Sequence, residues 1–483
     1  LSSNSSNQRN APGADGASED APLRPVPVLA PGQTYARVSA EFSDITLRPA
    51  PWGVMVGFAL AFGLVMIFLM AVTYLFIEGI GIFGTNVPVA WAFPIVSFVW
   101  WIGIGHAGTF ISAFLLLMRQ DWRASINRFA EAMTLFALAC AGMMPLLHLG
   151  RPWVLYWLFP YPNTMGLWPQ WRSPLVWDVF AVSTYALVSL LFWYMGAIPD
   201  FATLRDRAKN HRIRLAYGLA ALGWRGSSRH WQRYQQAYLL VGALAVPLVI
   251  SVHSIVGMDF AVAIVPGWHS TIFPPYFVAG ALYSGFAMVL TLGIPLRHYY
   301  KLHDFLTERH LDNCAKLMLL TGLIVTYGYV FDYFTVWYSA SSAEIIGLQQ
   351  RIFGAYRVEF WVMTFCNVGV IQLVWFKKVR QKAGLLFLIA ILVNVGMWLE
   401  RYIIVLTSLS YDYLPGTWHV FESTRWDWAV FVGSVGLFAA LWFIFVRFVP
   451  VSGIFELREL TRKQQKGELK YQESTPPAGD THV

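Results

Sequence analysis

Ten stretches of this chain are each long and apolar enough to cross a lipid bilayer. A spanning helix needs ~20 predominantly apolar residues. Runs of that kind occupy 52–78, 91–118, 126–149, 174–198, 235–261, 273–298, 312–340, 357–376, 383–408 and 426–448. Backbone N–H and C=O groups in hydrocarbon must bond inside their own segment, so each run is a helix. Composition agrees: the 483 residues are 57% hydrophobic and 13% charged, against ~25% charge in soluble domains. The expected fold is an all-α polytopic membrane protein with about ten transmembrane helices.

Charge distribution then sets orientation. Cytoplasmic loops carry the excess of Lys and Arg. The N-terminal tail, the loops after the even-numbered spans and the C-terminal tail hold 29 of the 35 basic residues. Loops after the odd spans hold only Arg151, Arg172, Arg351, Arg357 and Arg425, and Arg401 lies inside the ninth span. Both termini are therefore expected in the cytoplasm, with His148 at the outer face. The +8 formal charge reads as this orienting signal, and no nucleic-acid surface is expected. Trp153, Tyr156, Trp157, Tyr161, Trp168 and Trp171 crowd one outer loop, the composition of an interfacial belt. Residues 1–50 contain no apolar run and read as a mostly disordered cytoplasmic tail. Residues 51–90 hold the first flanking helix and an outer loop, 409–450 an outer loop and the last flanking helix, and 451–483 a second cytoplasmic tail.

Cys140, Cys314 and Cys366 stand singly in apolar segments, without a CxxC or Cys/His cluster. No metal, haem or iron–sulfur site is expected in this chain.

Ionisable residues inside apolar runs are costly and need a partner, water or a function. Two sets occur. The first is His148 at the end of the third span, Asp178 at the start of the fourth, and His253 and Asp259 near the end of the fifth, flanked by Arg151 and Arg172. All four fall towards the outer ends of their helices. Two His and two Asp suit a small polar head that gives up protons, as a hydroquinone does. The competing reading is that they cap helix ends and anchor them among headgroups.

The second set is Asp332, Glu359, Glu400 and Arg401. It reads either as a buried Glu400–Arg401 or Asp332–Arg401 pair that fixes packing, or as a proton relay with Tyr327, Tyr329 and Tyr333. His106, in the middle of the second span, is either a packing hydrogen bond or a relay member. It is expected to lie at a different depth from His148, with His253 lacking a partner at its own level.

A weak internal repeat relates spans two to five to spans six to nine. "VWDVFAVSTYALVSLLFW" can be laid on "RVEFWVMTFCNVGVIQLVWF", placing Asp178 on Glu359. It predicts two tandem four-helix bundles of like direction, 91–261 carrying the substrate site and 262–408 the acidic set, with spans one and ten outside.

Four stretches carry a family resemblance: "FVWWIGIGHAGTFISAFLLLMRQDWRASINRFAEAMTLFA", "PLLHLGRPW", "SPLVWDVFAVSTYALVSLLFWYMG" and "SVHSIVGMDFAVAIVPGWHSTIFPPYFVAGAL". Over about 50–450 the chain resembles the NrfD/PsrC-like membrane subunits of quinone-linked oxidoreductases, most of all the larger, ActC-type subunit of bacterial alternative complex III. The resemblance implies a menaquinol or ubiquinol pocket at the outer side of the first bundle, on His148, Arg151, Asp178, His253 and Asp259. It implies no redox centre in this chain. Electrons would pass to an iron–sulfur, molybdopterin-like subunit at the outer face and on to haem c subunits, beside a second NrfD-like membrane subunit in the bacterial inner membrane. Proton-path candidates are His106, Asp332, Tyr333, Glu359, Glu400 and Arg401. Rival classes are a quinone-reducing anchor of a sulfur or nitrogen oxidoreductase, a secondary transporter and a passive anchor. A transporter would show paired Gly/Pro-broken helices in the two halves, and none is evident.

Overall fold

A computed structural model describes residues 27–158 and 171–469. Helices appear in the order α1 (Tyr35–Leu47), α2 (Trp52–Glu78), α3 (Phe93–Leu117), α4 (Arg123–His148), α5 (Pro174–Arg207), α6 (His211–Ala220), α7 (Ser228–Ala261), α8 (Phe273–Tyr299), α9 (Glu308–Ser339), α10 (Ser342–Ile352), α11 (Arg357–Thr364), α12 (Lys377–Arg380), α13 (Ala383–Ser410), α14 (Arg425–Phe448) and α15 (Ile454–Gln465). Ten segments have the length and apolarity to cross a membrane: α2 to α5, α7 to α9, Arg357–Trp375, α13 and α14. The chain is a multi-pass helical membrane protein.

Side-chain size and polarity decide which spans lie inside. On α3 all but a few residues are buried; on α2 only Val54, Ala61, Phe68, Ala71 and Leu75 are. Helix α3 packs on α4, α7 and α8, whereas α2 packs chiefly on α14. Helices α3, α4, α5 and α7 contact one another, as do α8, α9, the eighth span and α13, and the two groups meet where α3 and α7 pack on α8.

The eighth span departs from α geometry. After α11 the chain makes a π-helical turn over Phe365–Gly369 and a 3-10 stretch over Val370–Trp375. The extra residue in a π turn rotates Asn367 inward. Gly396 on α13 makes room, because a Cβ there would collide with the side chains of Asn367 and Cys366. This is one broken span rather than a matched pair.

The N- and C-terminal segments meet at one end of the molecule, the end that the charge bias marks as inner. Helix α15 packs on α1, α4 and α5, and Arg458 donates to the Ser39 hydroxyl at 2.8 Å. The expected disordered tail is therefore corrected from residue 27 onward. Helix α1 is capped by Thr34 and buries Val38 and Phe42 in this layer. Residues 1–26 and 470–483 lie outside the described residues, as do Tyr161, Trp168 and the side chain of Trp157 from the aromatic loop. Trp153, Tyr156 and Trp171 of that loop are exposed.

Candidate functional site

Three layers of polar side chains run along the first group of helices. At the outer end, the carboxyl of Asp178 on the first turns of α5 lies close to that of Asp259 near the end of α7. The Oδ1 of each is buried without a hydrogen-bond partner. A hydrogen bond between two carboxyls requires one shared proton, since a carboxylate only accepts.

About 9 Å further in along α7, six residues at 1.5 Å each, lies His253. Its Nδ1 is 2.7 Å from Nδ1 of His106 on α3. Both rings are buried, and neither Nε2 has a partner. In a neutral pair one Nδ1 donates and the other accepts. One ring then presents a free Nε2–H and the other a free lone pair. The expectation for both histidines is corrected: His253 lies below the outer carboxyls, and its partner at that level is His106. Helical rise is the reason, because six residues of α7 separate the two depths.

Beneath His106 the polar stripe of α3 continues at three-residue steps through Thr109 and Ser112. The Thr109 hydroxyl donates to Ser189 at 3.1 Å, and Tyr185 donates to the Gly105 carbonyl at 2.8 Å. Ser112 donates to Glu131 at 2.5 Å. Glu131 is held by Arg128 at 3.2 Å, and Arg128 reaches Asp200 at 3.1 Å. Arg123 donates to Tyr238 at 2.6 Å and pairs with Glu456 of α15 at 3.0 Å. Five charged groups are thus packed at the inner end, two cations against three carboxylates. Sequence reasoning overlooked them as part of the cytoplasmic excess. Arg128 and Glu131, three residues apart and inside an apolar run, were the signal for them.

His148 closes α4 and Arg151 follows three residues later. His148 is half-buried at the last position of α4, and among the described residues it makes no hydrogen bond or ion pair with Asp178, His253 or Asp259. Arg151 is exposed just beyond. The chain turns at Gly150, with φ +65°, and Pro152 starts the next 3-10 turn. The helix thus ends at His148, before Pro152.

The second group holds its own cluster. Arg401 lies 2.8 Å from Glu400. Tyr329 donates to Glu400, and Asn367 donates to the Tyr329 hydroxyl at 2.8 Å. Arg401 also covers the Phe277 ring at 3.9 Å, and Phe277 lies 6.1 Å from the His253 ring. Asp332 pairs with Arg351 at 3.9 Å rather than with Arg401. Tyr276, Tyr329, Asp332, Tyr333, Arg351 and Glu400 border a cavity of about 20 Å³, room for one water. Tyr327 is 60% exposed and does not join the cluster. Glu359 lies by Tyr356 and Tyr402, away from this cavity. Larger cavities of about 700 and 410 Å³ open at the inner end among α1, α5, α7 and α15 and beside α1, remote from the Asp178–Asp259 pair.

The polysulphide reductase NrfD family model matches residues 81–411, so this chain belongs to the NrfD family of membrane proteins. It is similar to a protein of Halobacterium salinarum named as a membrane subunit of dimethyl sulfoxide reductase, 25% identical over 332 residues, covering 66% of this chain and 69% of the relative. It is also similar to a selenate reductase subunit of Mesobacillus selenatarsenatis, 22% identical over 379 residues, covering 75% and 86%.

Proposed function

We propose that this chain is the quinone-exchanging membrane subunit of a multi-subunit reductase in the cytoplasmic membrane. A quinol, menaquinol or ubiquinol, reaches the outer end of α5 and α7 from the bilayer. Its oxidation to quinone releases two electrons and two protons. The electrons leave for an iron–sulfur subunit docked at the outer face, and the protons go to side chains of this chain. The observation that carries the reading is the facing Asp178–Asp259 pair, stacked above the His106–His253 pair.

Each group has a task that its chemistry allows. The carboxyl pair, holding one shared proton, takes a proton from a quinol hydroxyl as a general base. The imidazole pair, with one free Nε2 lone pair and one free Nε2–H, accepts a proton at one end and releases one at the other. The hydroxyls of Thr109, Tyr185 and Ser112 continue towards Glu131, which supplies a route between the site and the inner face. The Glu400–Tyr329–Asn367 cluster and the Asp332–Arg351 pair supply a second buried relay. Glu359 lies outside this relay, by Tyr356 and Tyr402. His148 and Arg151 form the rim against which the partner docks.

The names of the two relatives favour a reductase complex, with a molybdopterin-type catalytic subunit as the electron sink. A reductase consumes electrons, so its membrane subunit draws them from quinol. The alternative complex III role uses the same site and differs in its acceptor, haem c subunits, and in a second NrfD-like partner. It rests on the sequence stretches alone. The test is quinol-dependent acceptor reduction by the assembled complex carrying Asp178→Asn, Asp259→Asn or His253→Gln. Near-normal turnover in all three overturns the assignment.

A further inference from the structure

The longest cytoplasmic connection forms a hairpin whose tip has no work to do inside the chain. Helix α5 runs on past the membrane to Arg207, and α6 folds back along it. Tyr194 of α5 donates to the Ala220 carbonyl at 2.7 Å, and Tyr217 of α6 donates at 3.0 Å to the carbonyl of Phe448, the last residue of the tenth span. The end of α6 therefore lies near the depth at which that span leaves the bilayer. Trp224, just beyond, sits among Trp231 at 4.8 Å and Tyr234 at 5.7 Å, the aromatic company of a membrane interface.

At this depth the hairpin presents apolar surface outward. Leu215 and Leu219, four residues apart, share a face of α6, and Leu222 follows in the turn after it; the three are 57%, 69% and 68% exposed. Leu222 has φ +46°, a left-handed conformation that a bulky side chain adopts only under strain. A strained leucine that leaves most of its surface exposed points to burial outside the chain. Around these leucines the segment from Arg205 to Arg233 carries eight Lys and Arg against a single acid, Asp206. Arg212, Arg214, Arg225 and Arg229 are all exposed. A leucine face ringed by guanidinium groups is complementary to anionic lipid: acyl chains for the leucines, phosphates for the arginines.

We infer that the tip of the α5–α6 hairpin is a docking site for anionic phospholipid of the inner leaflet. Leu219 and Leu222 enter the boundary between headgroups and acyl chains, and the surrounding arginines bind lipid phosphates. The inference is independent of the quinone reading.

The native cysteines of this chain are all buried, so the label that a thiol-reactive fluorophore adds to the purified complex with Leu219→Cys or Leu222→Cys, over that taken up by the wild-type complex, reports from the tip. The complex is placed in phosphatidylcholine liposomes with or without phosphatidylglycerol, and doxyl-labelled lipid is the quencher. Quenching is expected to rise about threefold with phosphatidylglycerol and to fall back at high salt, where the ~10 Å screening length shortens to ~3 Å. Replacing Arg212, Arg214, Arg225 and Arg229 by Gln should abolish the rise. Native mass spectrometry of the unlabelled complex should show phosphatidylglycerol retained over phosphatidylcholine, a preference the four-arginine variant loses. Equal quenching in both liposomes overturns the proposal. So does a label that neither doxyl lipid nor aqueous iodide reaches, which would mean that a protein partner covers the tip.

Discussion

His106 and His253, 147 residues apart in sequence, meet Nδ1 to Nδ1 at 2.7 Å between α3 and α7. The contact links two helices through a pair of rings whose remaining nitrogens are buried and unpartnered. A structural hydrogen bond alone would leave those two polar atoms uncompensated. A proton-passing pair uses them. His106→Gln and His253→Gln should each lower quinol-dependent turnover by about 100-fold or more, the usual scale for a lost acid–base group, while leaving assembly intact. Turnover within twofold of wild type would reduce the pair to a packing contact.

Asp178 and Asp259 bring two carboxyls close together at the ends of α5 and α7, where a hydrogen bond between them needs one shared proton. Infrared difference spectra should show a protonated-carboxyl C=O band that shifts in D2O and vanishes in both Asp178→Asn and Asp259→Asn. If the band survives in either variant, the proton belongs to another group. Quinone should still co-purify with both variants, because Asn keeps a polar contact while giving up the proton site.

His148 makes no hydrogen bond or ion pair with this pair among the described residues. His148→Ala in the assembled complex should keep turnover within about threefold of wild type, the size of effect of a lost peripheral contact. A loss as large as that of His253→Gln would return His148 to the quinol pocket.

The inner cluster is a matter of stability. Removing Arg128 leaves Glu131 and Asp200 facing each other without their shared cation. Breaking a buried ion pair costs ~3–5 kcal/mol. Arg128→Leu should lower the melting temperature of the purified protein by several degrees, and Arg128→Lys should restore only part, because an ammonium cannot bridge two carboxylates as the planar guanidinium does. An unchanged melting temperature would refute a stabilising role for this cluster.

Asn367 tests the π turn. Asn367→Leu removes the donor to Tyr329 and should free the Tyr329–Glu400 pair to move. Gly396→Ala should clash with the same turn and destabilise the protein by ~1–3 kcal/mol, the range for overpacking. Both effects are read by thermal unfolding in detergent.

Much of the architecture was legible in the chain. Each of the ten apolar runs corresponds to a spanning segment, because length and apolarity are local properties of a run. The first span matched at both ends, Trp52 and Glu78, where Pro51 and Gly79 flank the apolar stretch. The candidate residues were legible as types: Asp178, Asp259, His253, Glu400 and Arg401 stood out because charge in hydrocarbon is costly. Their partners were not. Asp332 took Arg351, a residue read as belonging to an outer loop, since α10 turns it back onto α9 and α13. His106 looked solitary because helical depth cannot be compared between spans until their tilt and offset are known.

The sequence by itself determined that the chain lives in a membrane, how many times it can cross and which end faces the basic side. Those follow from the free energy of transfer of local segments and of charged loops. Only the tertiary structure decided which polar groups meet. Hydrogen bonding acts over about 3 Å, while a one-residue shift of a helix moves a side chain by about 1.5 Å along the axis and about 100° around it. That precision comes from packing: from the small residue at Gly396, the π turn beside it, and the register in which α3 and α7 lie against each other.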